Sequence, residues 1–308
     1  MGRISRYMVG SLAVMAVVAG CTGKQLDAGG LSADFAAGGG GPDAPIIVAL
    51  VLAPTVPSDG ACTYTADPTQ ASLSTGNVDV GFGTLVTYTP ALLVENRASS
   101  QVLINGAITK ITDLAGDDLV TMLASMCEGT STGGRDEAAC MTGQQLGLGL
   151  STPVNPFSTV ESGMVVGGSS SVPSYGVLSV TIVDGETVDI MRTYLTNSLQ
   201  LNGAAAFQTS IQLLTYTIVE GTQVGGGAVS SNVFEFPVTF AFGGLVSNLK
   251  ADPNSAVGEC LDTSSPPTAA LTCVDGQDVA AYATSIPNVP DCDDMADAGD
   301  SVVGDDAG

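Results

Sequence analysis

The chain has no histidine and no tryptophan, and its eight lysines and arginines face 31 aspartates and glutamates. Without histidine there is no Ser-His-Asp or Cys-His relay and no imidazole metal ligand. The acid excess repels nucleic-acid phosphates and anionic lipid headgroups, so nucleic acid is not an expected partner. Only 15 Phe and Tyr are present, a thin supply for a sugar-stacking surface. No GxSxG elbow, P-loop or CxxC spacing occurs. The chemistry left open is that of carboxylates, tyrosine and lysine.

Two motifs come closest to chemistry. Ser247-Asn248-Leu249-Lys250 reads Ser-x-x-Lys, which in penicillin-binding enzymes places nucleophile and amine on one helical turn. The partner motifs Ser-Asp-Asn and Lys-Thr-Gly are missing downstream and no helical pattern follows, so Lys250 reads as a surface loop residue. Asp291 and Asp293 open an Asp-x-Asp pattern. An EF-type calcium loop next needs an acid or amide and then glycine, and Met295 and Ala296 stand there. The tail reads as a solvated acidic segment, and no metal or cofactor is expected. Asp291 and Asp293 are the residues on which a calcium reading would rest. With 31 acids, chance carboxylate pairs carry no glycosidase signal, although sugar binding stays open.

What the chain does have begins at its N-terminus. Arg3 and Arg6 stand without an acid, and Met8 to Ala19 are apolar or small. A basic start and a short apolar run form the pattern of a secretory signal. Twelve residues fall short of the about 20 that a membrane-spanning helix requires. The run ends in Val18-Ala19-Gly20-Cys21, which resembles the lipobox of bacterial lipoproteins. That resemblance implies cleavage between Gly20 and Cys21, removal of residues 1–20 as signal peptide, and a diacylglyceryl thioether on Cys21. Thr22 follows the cysteine. In the lipoprotein class an Asp there favours inner-membrane retention, so the resemblance implies the outer membrane. Loss of Arg3 and Arg6 leaves a mature net charge of −25.

Six further cysteines remain: Cys62, Cys127, Cys140, Cys260, Cys273 and Cys292. An even number in an exported chain is expected to form disulfides, with connectivity open. Cys127 with Cys140 is an attractive local pair, closing a Gly- and Ser-rich loop for about 3 kcal/mol in the chain-entropy picture.

Along the chain, 21–45 read as lipidated cysteine and flexible tether, with seven glycines in 22–45 and a coil span of about 25–30 Å. Strand patterns follow at Pro45–Val56, within Val78–Asn96, and at Gln101–Thr112, Val177–Val183 and Ile211–Val219. Val233–Phe242 is the cleanest, with Phe234, Phe236, Val238, Phe240 and Phe242 on one face. Pro237 cannot donate to a ladder, which predicts an edge or a bulge there. Asn105-Gly106 and Asn202-Gly203 each read as a turn or bulge. One stretch, Asp117–Met126, has helical spacing and falls in an expected inserted loop at about 113–150. The expected fold is all-β, a β-sandwich of Ig-like or Greek-key type over 46–250. A cysteine-containing, disulfide-held flap over 251–292 and an acidic disordered tail over 293–308 follow.

Five phrases in order resemble a family of uncharacterised outer-membrane lipoproteins of soil bacteria. They are Tyr88 to Asn96 (YTPALLVEN), Asn105-Gly106-Ala107, Asn155-Pro156-Phe157, Ser231 to Pro237 (SNVFEFP) and Gly276-Gln277-Asp278. The likeness spans about 60–292. Family members carry a cysteine pair just after the Phe-Pro strand, where this chain has Ala241-Phe242-Gly243-Gly244, so no disulfide pairing carries over. The resemblance assigns no functional residue. The sequence therefore favours a lipid-anchored, non-enzymatic structural or binding module of the cell envelope. Its expected partners are the membrane, through its lipid, and an envelope protein or glycan. The alternative is a carboxylate-dependent hydrolase or carbohydrate-active module.

Lipidation requires the Cys21 thiol, so Cys21→Ser is expected to abolish metabolic labelling by a fatty acid. Equal label on both forms would contradict it.

Overall fold

The strict alternation over Phe234–Ala241 buries the face it marks, with Phe236, Val238 and Phe240 in the core. A computed structural model describes residues 44–55, 62–82, 87–117, 119, 155–202, 210–251, 255, 259–264, 277–285 and 289–292. Its strands are β1 (Ile46–Leu52), β2 (Ser72–Leu73), β3 (Gly76–Asp79), β4 (Ala91–Asn96), β5 (Val102–Thr112), β6 (Phe157–Thr159) and β7 (Gly163–Val165). They continue with β8 (Ser174–Ser179), β9 (Ser210–Gln223), β10 (Ala228–Ser230), β11 (Phe234–Ala241), β12 (Leu249–Ala251) and β13 (Glu259–Leu261). The fold is all-β, and among the described residues one long helix runs from Gly185 to Asn202.

A four-stranded sheet runs β2-β1-β4-β8. A seven-stranded sheet runs β3-β11-β9-β5-β6, with β10 added on β9 and β7 on β5. Ile46, Val48, Leu92, Val94 and Leu178 of the smaller sheet share one buried cluster with Val102, Ile104, Leu213, Val219, Phe236, Val238 and Phe240 of the larger. Two sheets facing one core is the usual solution for strands with one apolar face. The smaller sheet is buried on its other face too, where Leu52, Ala91 and Leu93 form a second cluster. That is why β4 reads as a continuous apolar run rather than an alternation.

Pro237 sits where its missing N–H costs nothing. Strand β11 pairs with β9 in unbroken register from Phe234 to Ala241, but β3 covers its other edge only from Val238 onward. The β3–β11 pair is parallel. Gly106 occupies a β-bulge, where the β5–β9 register shifts between Ile104 and Gly106. A Cβ there would lie 2.6 Å from the Thr159 carbonyl oxygen, so glycine is needed. Asn202, by contrast, ends the helix, so the two Asn-Gly phrases occupy unrelated structures.

The helix Gly185–Asn202 does not appear among the sequence expectations. Asp184 caps it, its Oδ1 accepting the Thr187 N–H at 3.2 Å. Val188, Met191 and Leu195 then fall on one buried stripe. The β-branched Thr187, Val188, Ile190 and Thr193 mask this spacing as strand-like. Of the expected helix Asp117–Met126, only Asp117 and Leu119 are described, and Leu119 is helical and buried.

The segment after Lys250 is built into the body. Leu261, Ala281 and Ala283 belong to the same buried cluster as the two sheets. Asn248 fastens it, donating to the Asp262 and Ala283 carbonyls and accepting the Ala283 N–H. Cys260 and Cys292 form a disulfide across a separation of 32 residues. Removing that bridge as Cys260→Ser with Cys292→Ser is expected to cost about 3–4 kcal/mol in denaturant-induced unfolding. No loss would mean that core packing alone holds the segment.

Candidate functional site

Asp278 is a carboxylate held in a specific setting beside β3. It has a left-handed backbone, φ 57°, which Asp and Asn adopt more readily than other non-glycine residues. Its N–H donates to the Asn77 carbonyl at 2.9 Å, and its Oδ1 accepts the Asn77 N–H at 2.7 Å. Its Oδ2 accepts the hydroxyl of the fully buried Tyr88 at 2.8 Å. Next to it, Gln277 Nε2 donates to the Thr87 carbonyl at 2.8 Å and Oε1 accepts the Thr89 N–H at 3.1 Å. Gln277 also bridges to Val78. One edge of β3 is thus taken by β11 and the other by residues 277–278.

Gly76 makes room for the tyrosine. A Cβ at that position would lie 2.3 Å from the Tyr88 hydroxyl. Burial raises the Asp278 carboxyl to about 6 against the pull of the Asn77 and Tyr88 donors. Burial, reinforced by the Asp278 charge, holds the Tyr88 phenol well above its ordinary range. Tyr64 is raised too, first by burial and then by the same carboxylate. Both tyrosines therefore stay protonated, and Tyr88 donates to Asp278.

A second carboxylate, the buried Asp79, lies at the end of β3. Its Oδ1 accepts the N–H groups of Gly81 and Gly243, both at 2.9 Å, and its Oδ2 that of Leu245 at 2.8 Å. Burial raises it while these three donors lower it. Both acids tie loops to β3.

The residues singled out by sequence are mostly not gathered at this place. Gly20, Cys21, Cys127, Cys140, Cys273 and Asp293 lie outside the described residues. Cys62 is disulfide-bonded. Asp291 is described, and its Oδ2 accepts the Thr263 hydroxyl at 2.6 Å beside the Cys260–Cys292 bridge. No group of three or more potential metal ligands occurs among the described residues. Ser247 lies in a turn, whereas Lys250 lies within β12, paired with Cys260 and ion-paired to Asp262, so it is a strand residue rather than the expected loop residue and the two do not share a helical turn.

Asp278 and Tyr88 belong to phrases quoted above for their family resemblance, but their contact spans 190 residues of sequence. No local pattern marks it. Chemically, both Asp278 oxygens already hold donors and Tyr88 is closed to solvent, an arrangement suited to fastening rather than proton transfer to a substrate. Comparison with protein-family models, curated proteins and solved structures returned no match for this chain.

The raised Asp278 carboxyl has a definite sign. Between its unfolded value of 3.8 and about 6 the folded state binds more protons than the unfolded state, so this group's contribution to stability falls as pH rises through that window. Asp278→Asn is expected to remove that contribution. The wild type should lose at most about 2–3 kcal/mol relative to the variant between pH 4 and pH 6. Parallel pH profiles would contradict it.

Proposed function

We propose that the chain is an exported lipoprotein, anchored through Cys21 in the bacterial outer membrane, whose β body serves as a non-enzymatic structural or binding module of the cell envelope. The observation that carries this reading is the Val18-Ala19-Gly20-Cys21 sequence behind Arg3, Arg6 and a twelve-residue apolar run. The Cys260–Cys292 disulfide and the bonded state of Cys62 support it, because such bonds persist in oxidising compartments. Two facing sheets support a sandwich scaffold of Ig-like or Greek-key kind.

The non-enzymatic part rests on the side-chain inventory. Histidine is absent from the sequence. Among the described residues, the buried Asp79 and the half-buried Asp278 have raised carboxyls whose oxygens are occupied by donors of the protein itself. A general acid or base must reach the proton it transfers, and these groups face inward. An envelope protein or a neutral glycan fits a body of this charge, and the lipid supplies the membrane attachment.

The purified protein is expected to show no turnover on peptidoglycan, polysaccharide, ester or peptide substrates, together with saturable binding to an envelope component. Hydrolysis abolished by changing a single acid to its amide would replace this reading with a carboxylate-dependent hydrolase.

A further inference from the structure

The two ends of the body differ sharply in charge. At one end β5 begins and β7 and β9 finish. Three segments meet there. Leu103 pairs with Met164 and with Thr222, Val102 with Val165 and Gln223, and the Val224 N–H donates to the Gln101 carbonyl at 2.8 Å. The buried Asn96 amide locks them together by donating to the carbonyls of Ser100, Val165 and Val166. In a chain with 31 acids, the contributing stretches 98–109, 162–183 and 221–234 contain no charged residue. At the border of this end, Arg97 is paired with Glu95 at 2.5 Å.

The same end exposes apolar side chains. Leu103, Met164, Val166, Val172 and Val224 are between 44 and 72% exposed, and they are five of the eight large hydrophobic residues that are exposed among the described residues. Scattered exposed hydrophobics need no explanation, but five of them on uncharged strand ends and loops at one end of the body point to a contact surface.

The chain also enters the body here. The Pro45 carbonyl accepts the Arg97 N–H at 2.8 Å, and Ile46 pairs with Asn96 and bridges to Ser231. Residues 22–44 alone separate this entry point from Cys21. The tether to Cys21 thus starts at the end of the body whose described stretches 98–109, 162–183 and 221–234 carry no charge. The opposite end carries Asp113, Asp117 and Asp184, none of them buried, and anionic groups of that kind are repelled by anionic leaflets.

We propose that this uncharged end is a membrane-contact surface. Leu103, Met164, Val166, Val172 and Val224 rest on the phospholipid interface of the bilayer that holds the Cys21 acyl chains, so the body stands with its Asp184 end outward. The proposal rests on the anchoring reading above. The anchor supplies attachment, and the apolar end sets orientation, as shallow apolar insertion does for interfacial proteins.

The test uses the full-length gene product, purified from membranes and reconstituted in phosphatidylcholine vesicles. A photo-crosslinking residue is placed at Val224 or Val172, and as controls at Val160, which is 95% exposed in the β6–β7 connection, and at Tyr64. Fatty acid on Cys21 is measured in the same samples. The expected result is acylated Cys21 with phospholipid adducts several-fold more abundant at Val224 and Val172 than at the controls. Acylated Cys21 with equal adducts at all positions, or none at Val224 and Val172, overturns the orientation while leaving the anchor intact. A protein adduct in place of lipid at Val224 overturns it in favour of a protein-binding end. Unmodified Cys21 removes the anchoring reading and this proposal with it.

Discussion

Strand β9 pairs with β11 on one edge and with β5 on the other, along most of its 14 residues. Its side chains alternate, so Leu213 and Val219 enter the shared core while Gln212 and Glu220 point away. A slip of one residue would reverse that set, and both neighbours with it. The burial of Phe236, Val238 and Phe240 on β11, and of Val102 and Ile104 on β5, depends on this register. The Gly106 bulge absorbs the one irregularity in it. Everything placed at the two ends of the body is held in position by these three strands.

At one end Asp278 joins the C-terminal segment to that frame, and the buried Asp79 ties in the loops at Gly81 and Gly243–Leu245. Asp79 gathers three backbone donors at the end of β3, and Asp278 with Gln277 occupies the remaining edge of the same strand. Covering an edge in this way prevents another chain from pairing there. Leu261, Ala281 and Ala283 then pack into the core, and the Cys260–Cys292 bond closes the segment on itself. Redox state and fold are thereby coupled, because reduction loosens residues that contribute to the central core rather than an appendage.

The sequence discloses the strands where alternation is strict, as in Phe234–Phe242, and where β-branched residues are dense, as in Val102–Thr112. Pro237 is also interpretable, because a residue without an N–H has few places in a sheet. The helix at Gly185–Asn202 was hidden by its threonines and valines, although Asp184 and the Val188, Met191, Leu195 spacing carry its signal. Buried Thr215 and Thr217 look like surface residues by type. One donates to the Phe236 carbonyl and the other shares a hydrogen bond with Thr109. The Asp278–Tyr88 contact was illegible because nothing local to either residue indicates a partner 190 positions away. The C-terminal segment has few large apolar side chains, so its place in the core was equally hidden.

The lipobox-like Val18-Ala19-Gly20-Cys21 sequence, the Cys260–Cys292 disulfide and the uncharged stretches at one end of the body together support the proposal of a protein held close to a bilayer outside the cytoplasm. The intact mass of the protein extracted from membranes, measured before and after alkylation without reductant, tests that account most directly. The account predicts a chain beginning at Cys21, carrying acyl groups, that takes up no alkylating reagent. A chain that retains residues 1–20 or lacks acyl groups, with free thiols at the remaining cysteines, would contradict it.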